Sequence, residues 1–118
     1  MAKSILRDKS YAFAIRIVRL SQYLQTEKKE FILSKQVLKS GTSIGALIRE
    51  AEFGQSKPDF ISKLNIALKE ANETEYWISL LKDTGFLTEE NYRSIVDDCT
   101  ELIKMLIASI KTSKTEKH

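Results

Sequence analysis

Reactive groups are scarce in this sequence, and their positions leave little room for enzyme chemistry. The only histidine, His118, is the last residue, better suited to a tail than to a base or a metal ligand, and the only cysteine is Cys99. No serine or cysteine nucleophile therefore has an internal histidine partner, and the Cys and His spacing of a zinc site is missing. Carboxylates are plentiful. Glu70 and Glu73 on one predicted helix, with Glu50 on another, would suit a bundle-core metal site only alongside Glu-x-x-His pairs, which the chain lacks. Glu50 and Glu73 read instead as helix caps or ion-pair partners. The four glycines are dispersed, so neither a phosphate-cradling loop nor a dinucleotide fingerprint is present. The expectation is a non-enzymatic protein without cofactor or metal.

Charge is the remaining chemical handle. Residues 1 to 50 hold ten Lys or Arg against four acids, a balance of +6, whereas residues 51 to 118 hold nine against twelve, a balance of −3. The basic half is either an anion-facing surface or ordinary charge scatter on solvated helices. The cations that share a direction are Lys9, Arg16 and Arg19 on a first helix and Lys35 and Lys39 on a second. These five are the candidate nucleic-acid contacts.

The elements that must position them read as helices throughout. Leu6, Ser10, Phe13, Ile17, Leu20 and Leu24 alternate spacings of four and three, the stripe of an amphipathic helix, with Lys9, Arg16 and Arg19 on the opposite arc. A second helix has its seam at Val37, Gly41, Ile44, Ile48 and Ala51. Gly41 and Gly45 stand in its middle, each costing about 1 kcal/mol relative to alanine. Close approach of another helix backbone to Gly41, Thr42, Gly45 and Ala46 would offset that. Gly54 stands where a helix end favours a residue tolerant of positive φ. Ser56, Pro58 and Asp59 then form a capping-box variant opening a third helix, whose seam is Phe60, Leu64, Ala67, Ala71, Thr74, Ile78 and Leu81. Thr88, flanked by Leu87 and Tyr92, opens a fourth with a seam at Tyr92, Val96, Cys99, Ile103, Leu106 and Ile110. Beyond Lys111 the chain is polar and expected to fray.

These segments, about 4–26, 31–53, 57–84 and 89–112, predict an all-α single domain over residues 1–118, an antiparallel up-down-up-down four-helix bundle. Tyr11, Val18, Phe53, Ile66, Trp77 and Leu80 lie off the seams and suggest oligomer contacts. Trp77 can equally cover the edge of its own core. The lone cysteine, the lack of a signal-peptide pattern and the lack of any apolar run near the ~20 residues of a membrane span point to the cytoplasm.

Ser34 to Leu87 resembles the signature region of the bacterial four-helix bundle family of 23S rRNA intervening-sequence proteins. The likeness rests on SGTSIGA at Ser40 to Ala46, on Glu50-Ala51, on QSKPDF at Gln55 to Phe60 and on IALKEANETEYW at Ile66 to Trp77. It extends more weakly over nearly the whole chain. The sequence departs from the pattern at Leu47, where relatives carry asparagine, and at Phe53 and Gly54, where small residues are usual. The resemblance implies a homopentamer, no enzyme activity, and kinship with the accessory variability protein of diversity-generating retroelements, which uses a basic surface to engage nucleic acid and a reverse transcriptase. Two functions follow: an oligomer associated with RNA or DNA, or a protein-interaction scaffold with no nucleic-acid role.

Overall fold

A computed structural model describes residues 4–116 of the chain; His118 lies outside them. The described residues form four helices and no strand: α1 (Ile5–Thr26), α2 (Leu33–Glu52), α3 (Lys57–Asp83) and α4 (Glu89–Thr115). They pack as a bundle in a body of 51 × 22 × 21 Å. No described helix is long and apolar enough to cross a membrane.

Each helix begins where a side chain can take up its free amides. Ser4, Ser56 and Thr88 accept hydrogen bonds from the backbone N–H of Arg7, Asp59 and Asn91 at 3.0, 3.2 and 3.0 Å. α2 uses a different device. The Glu30 carboxylate accepts from the backbone N–H groups of Ile32, Leu33 and Ser34 at 3.1, 2.9 and 2.7 Å, so one acid satisfies three donors. α2 therefore starts at Leu33, after a turn in which Lys29 adopts φ 54°.

Helix ends correct two expectations. Gly54 does not adopt positive φ; among the described glycines only Gly85 does, at +89°, closing α3. A Cβ at Gly54 would fall 2.6 Å from the free end of the Asp59 side chain and 3.1 Å from the Ala51 carbonyl oxygen. α4 does not fray at Lys111 but continues to Thr115, with Ser113 buried and the Lys57 ammonium donating to the Glu116 carbonyl at 2.7 Å.

The seams of α2 and α3 meet in the core as their spacing predicts, except that Phe60 is only half-buried. In α1, Ser21 is buried in place of Leu20, and its hydroxyl is satisfied by donating to the Ser34 carbonyl at 3.3 Å. In α4 half of the expected seam holds, Cys99, Leu106 and Ile110 being buried, but Ile95 and Leu102 take the places expected for Val96 and Ile103, which with Tyr92 pack at the edge. Fully buried Ile17, Ile44, Ile78 and Leu106 each contribute about 1.5–3 kcal/mol through burial. Polar groups inside are partnered. Thr74 Oγ1 lies 2.9 Å from Ser40 Oγ, and the Cys99 thiol donates to the Ala71 carbonyl at 3.3 Å.

The glycine pair of α2 accommodates α1. A Cβ on Gly41 would fall 2.8 Å from both γ-carbons of Ile17, and one on Gly45 would fall 3.3 Å from the Ser10 carbonyl oxygen. The expected backbone approach is thus made within the chain at Gly45, whereas at Gly41 the neighbour is the Ile17 side chain rather than backbone.

Candidate nucleic-acid interface

The five basic candidates divide by what holds them. Lys9 lies 3.3 Å from Glu101, and the Arg16 guanidinium lies 2.7 Å from Asp98 while also donating to the Ser94 carbonyl and hydroxyl at 3.2 and 3.0 Å. Both side chains are turned toward α4. Arg19, Lys35 and Lys39 are exposed and form no ion pair or side-chain hydrogen bond among the described residues. A cation already matched by a carboxylate adds little to the outward field, so Arg19, Lys35 and Lys39 offer more to a polyanion than Lys9 and Arg16 do.

Lys28 is a cation that spacing did not single out. It sits in the turn after α1 with its Nζ 6.0 Å from the centre of the Tyr23 ring. Its signal in the sequence was only the polar run from Gln25 to Glu30. At the neighbouring α3–α4 turn the Glu89 carboxylate is engaged by Arg93 at 2.7 Å and Lys82 at 3.3 Å. Those bonds hold its carboxyl below the usual range, Arg93 contributing most.

The carboxylates weighed for metal chemistry are engaged or scattered. Glu50 pairs with Lys63 at 3.4 Å and Glu73 accepts from the Trp77 indole N–H at 3.1 Å. No group of three His, Cys, Asp or Glu among the described residues is placed to hold a metal ion. Burial, with smaller contributions from the charges of Glu75 and Asp98, pushes the Cys99 thiol up to about 12. It is therefore a neutral packing group near pH 7.

The six apolar candidates also separate. Tyr11 and Phe53 line one groove between α1 and α2, floored by Ala14, Gly45 and Ala46, with Phe53 77% exposed. Val18 is exposed on α1, and Ile66 lines a different groove with Lys57, Pro58 and Ser113. Trp77 packs against the core and meets Tyr76 edge-on at 4.9 Å, and Leu80 is half-buried. Exposed Phe31 and Ile32, at the α1–α2 turn, were not singled out from spacing because they fall outside any helical stripe.

The described fold is similar to the crystal structure of a protein of unknown function from the S23 ribosomal protein family of Bacteroides thetaiotaomicron. The two share 62% sequence identity with a TM-score of 0.90, over 91% of this chain and 99% of the other. No curated protein matches. The model of the family described as 23S rRNA-intervening sequence protein matches residues 2–108. On that match, with four packed helices beneath it, the chain belongs to the 23S rRNA-intervening sequence protein family.

Proposed function

We propose that this protein is a non-enzymatic, oligomeric RNA-associated bundle of the cytoplasm, needing no cofactor. The observation that carries the reading is the set of exposed, unpaired cations Arg19, Lys35 and Lys39 in the half of the sequence with a +6 balance. The name of the matched family is consistent with RNA as the polyanion. The kinship with the retroelement accessory protein belongs to the same reading, since a basic surface engages nucleic acid there.

An up-down-up-down topology suits the contacts along α1 and α2, where Arg7 pairs with Glu52 and Ser21 with Ser34. Oligomerisation is supported by two separate apolar grooves, at Tyr11–Phe53 and at Ile66. Two different surfaces are what a head-to-tail ring requires, whereas a two-fold dimer uses one. A homopentamer is the ring we favour. The alternative is a protein scaffold with no nucleic-acid role, favoured by those same grooves.

The test is RNA affinity measured against salt. Phosphate contacts predict little sequence preference and a logarithmic slope of roughly 0.7 per phosphate on single strands, 0.9 on duplex DNA. A triple variant, Arg19→Glu with Lys35→Glu and Lys39→Glu, should keep its helicity and lose affinity across all sequences, with a flatter slope. Wild-type protein that leaves RNA free at low salt would sink the reading and leave the scaffold. Light scattering coupled to gel filtration tests the ring, which a monomer at micromolar concentration would exclude.

A further inference from the structure

A cleft of about 270 Å³ opens between the second half of α1 and the start of α4. Its inner wall is apolar, made of Leu20, Leu87 and Ile95, the last two buried. Its rim is polar, formed by Arg16, Arg19, Tyr23 and Asn91. We propose that this cleft takes one unpaired base of single-stranded RNA, with Tyr23 as the stacking platform and Arg19 and Lys28 as the flanking phosphate contacts. The inference rests on the RNA-associated reading and adds to it the form of RNA bound and where its base goes.

Four observations carry it. The Tyr23 ring lines the cleft and remains 39% exposed, so a planar group can reach it. Arg19, one helical turn from Tyr23 on the rim, has no partner among the described residues, and the Lys28 ammonium lies over the Tyr23 ring, 6.0 Å from its centre, so two cations stand beside the platform. Arg16 is held by Asp98 and Ser94, so it shapes the wall rather than meeting phosphate. The Asn91 side-chain amide has no hydrogen-bond partner among the described residues, although its backbone N–H is used by Thr88. An amide carries both donors and an acceptor, the equipment that reads a base edge.

The volume, just under the roughly 300 Å³ at which pockets for drug-sized molecules start, leaves room for a single base. A duplex does not fit, because its bases are stacked inside the helix and present no free face. Aromatic stacking beside basic side chains is how single strands are held with little sequence preference. Here the aromatic and the cations come from α1 and the turn after it, and the amide from α4.

The experiment compares fluorescence anisotropy for a short adenosine-rich RNA strand, an abasic strand of the same length, and an RNA duplex. The parent should bind the base-bearing strand most tightly. Tyr23→Ala should lose roughly 5- to 150-fold on that strand, the equivalent of about 1–3 kcal/mol per stacked base, with no change on the abasic strand. Tyr23→Phe should bind like the parent. Arg19→Gln should weaken both strands, and Asn91→Ala should weaken the base-bearing strand while leaving the abasic strand unchanged. Circular dichroism on each variant checks the fold, and Asn91→Ala carries the test if Tyr23→Ala melts early. Equal binding of base-bearing and abasic strands by the parent, or a duplex preference, overturns the cleft proposal while leaving RNA association standing. Binding to none of the three probes removes both.

Discussion

Against α2, helix α1 brings the Ser10 carbonyl to within 3.3 Å of where a Cβ would stand on Gly45, and Ile17 to within 2.8 Å of one on Gly41. Against α4, the same helix reaches with long charged side chains, Lys9 to Glu101 and Arg16 to Asp98, and leaves two clefts beside them. One flank is drawn together by removing side chains, which leaves the Tyr11–Phe53 groove over Gly45, and the other is spanned by extending them. The difference separates two jobs. Dense packing on the α2 side fixes the helix, and sparser packing on the α4 side leaves solvent-reachable polar groups around an apolar wall.

The hardest blow to that contrast falls on the closed flank. Gly45→Leu should destabilise the fold by about 1 to 3 kcal/mol or more, because its Cβ presses on the Ser10 carbonyl and the rest of the side chain must find room between α1 and α2. Gly41→Leu should do at least as much, since Ile17 is fully buried and has nowhere to go. Denaturant melts measure both. A raised melting temperature for either variant would show that helix propensity, and not proximity, governs these positions.

α4 is held from its other side by α3, where the Cys99 thiol donates to the Ala71 carbonyl. The folded-state pKa of about 12 lies above the ordinary 9.0, so the thiol's contribution is fully present below pH 9. It is lost as pH climbs from 9 toward 12, on the order of 1 kcal/mol for each pH unit in that window. Comparing parent with Cys99→Ala cancels the titration of surface lysines and tyrosines. The parent should lose stability faster between pH 9 and 11, and parallel curves would mean that α4 opens to solvent at this point.

A smaller effect separates the two glycines. Alanine gains about 1 kcal/mol of helix propensity over glycine at both positions. At Gly41 the new methyl meets γ-carbons of a β-branched residue that is stiff at χ1, so Gly41→Ala should be net destabilising. At Gly45 a shift of a few tenths of an ångström in α1 makes room, and Gly45→Ala should come out near neutral. Matching thermal shifts for the pair would blur the closed flank into uniform packing.

What was legible in the sequence was the set of stripes. Gly41 and Gly45 announced a close contact because glycine in a helix interior needs an offset, and the cap residues Ser56 and Thr88 announced helix starts because few other roles suit them there. The seam of α4 was ambiguous for a physical reason. Ile95–Val96 and Leu102–Ile103 are adjacent apolar pairs, so two stripes one residue apart satisfy the same period, and only docking against the other helices chooses between them. Arg16 and Lys9 could not be sorted from Arg19 by spacing alone. The acids that hold them, Asp98 and Glu101, are more than eighty residues away in sequence and meet them only through the fold. The Tyr23 cleft was hidden likewise, since α1 and α4 each supply part of it.

The mildest test is of the bridging charges. The Arg16–Asp98 pair has side chains 40% and 47% exposed, so solvent screens it and its net worth is at most about 1 kcal/mol. A double-mutant cycle with Arg16→Gln and Asp98→Asn should return a coupling within that limit that shrinks as salt rises, consistent with a flank that is bridged rather than packed. A coupling well above it, or one indifferent to salt, would mean that the α4 flank is as closed as the α2 flank. The same cycle bears on RNA. Asp98→Asn removes the charge that offsets Arg16 while Ser94 still holds the guanidinium, so that variant should bind single-stranded RNA somewhat more tightly than the parent, with a salt slope steeper by up to about 0.7, one added phosphate contact. Arg16→Gln should leave the slope unchanged, because in the parent that guanidinium is already spent on α4.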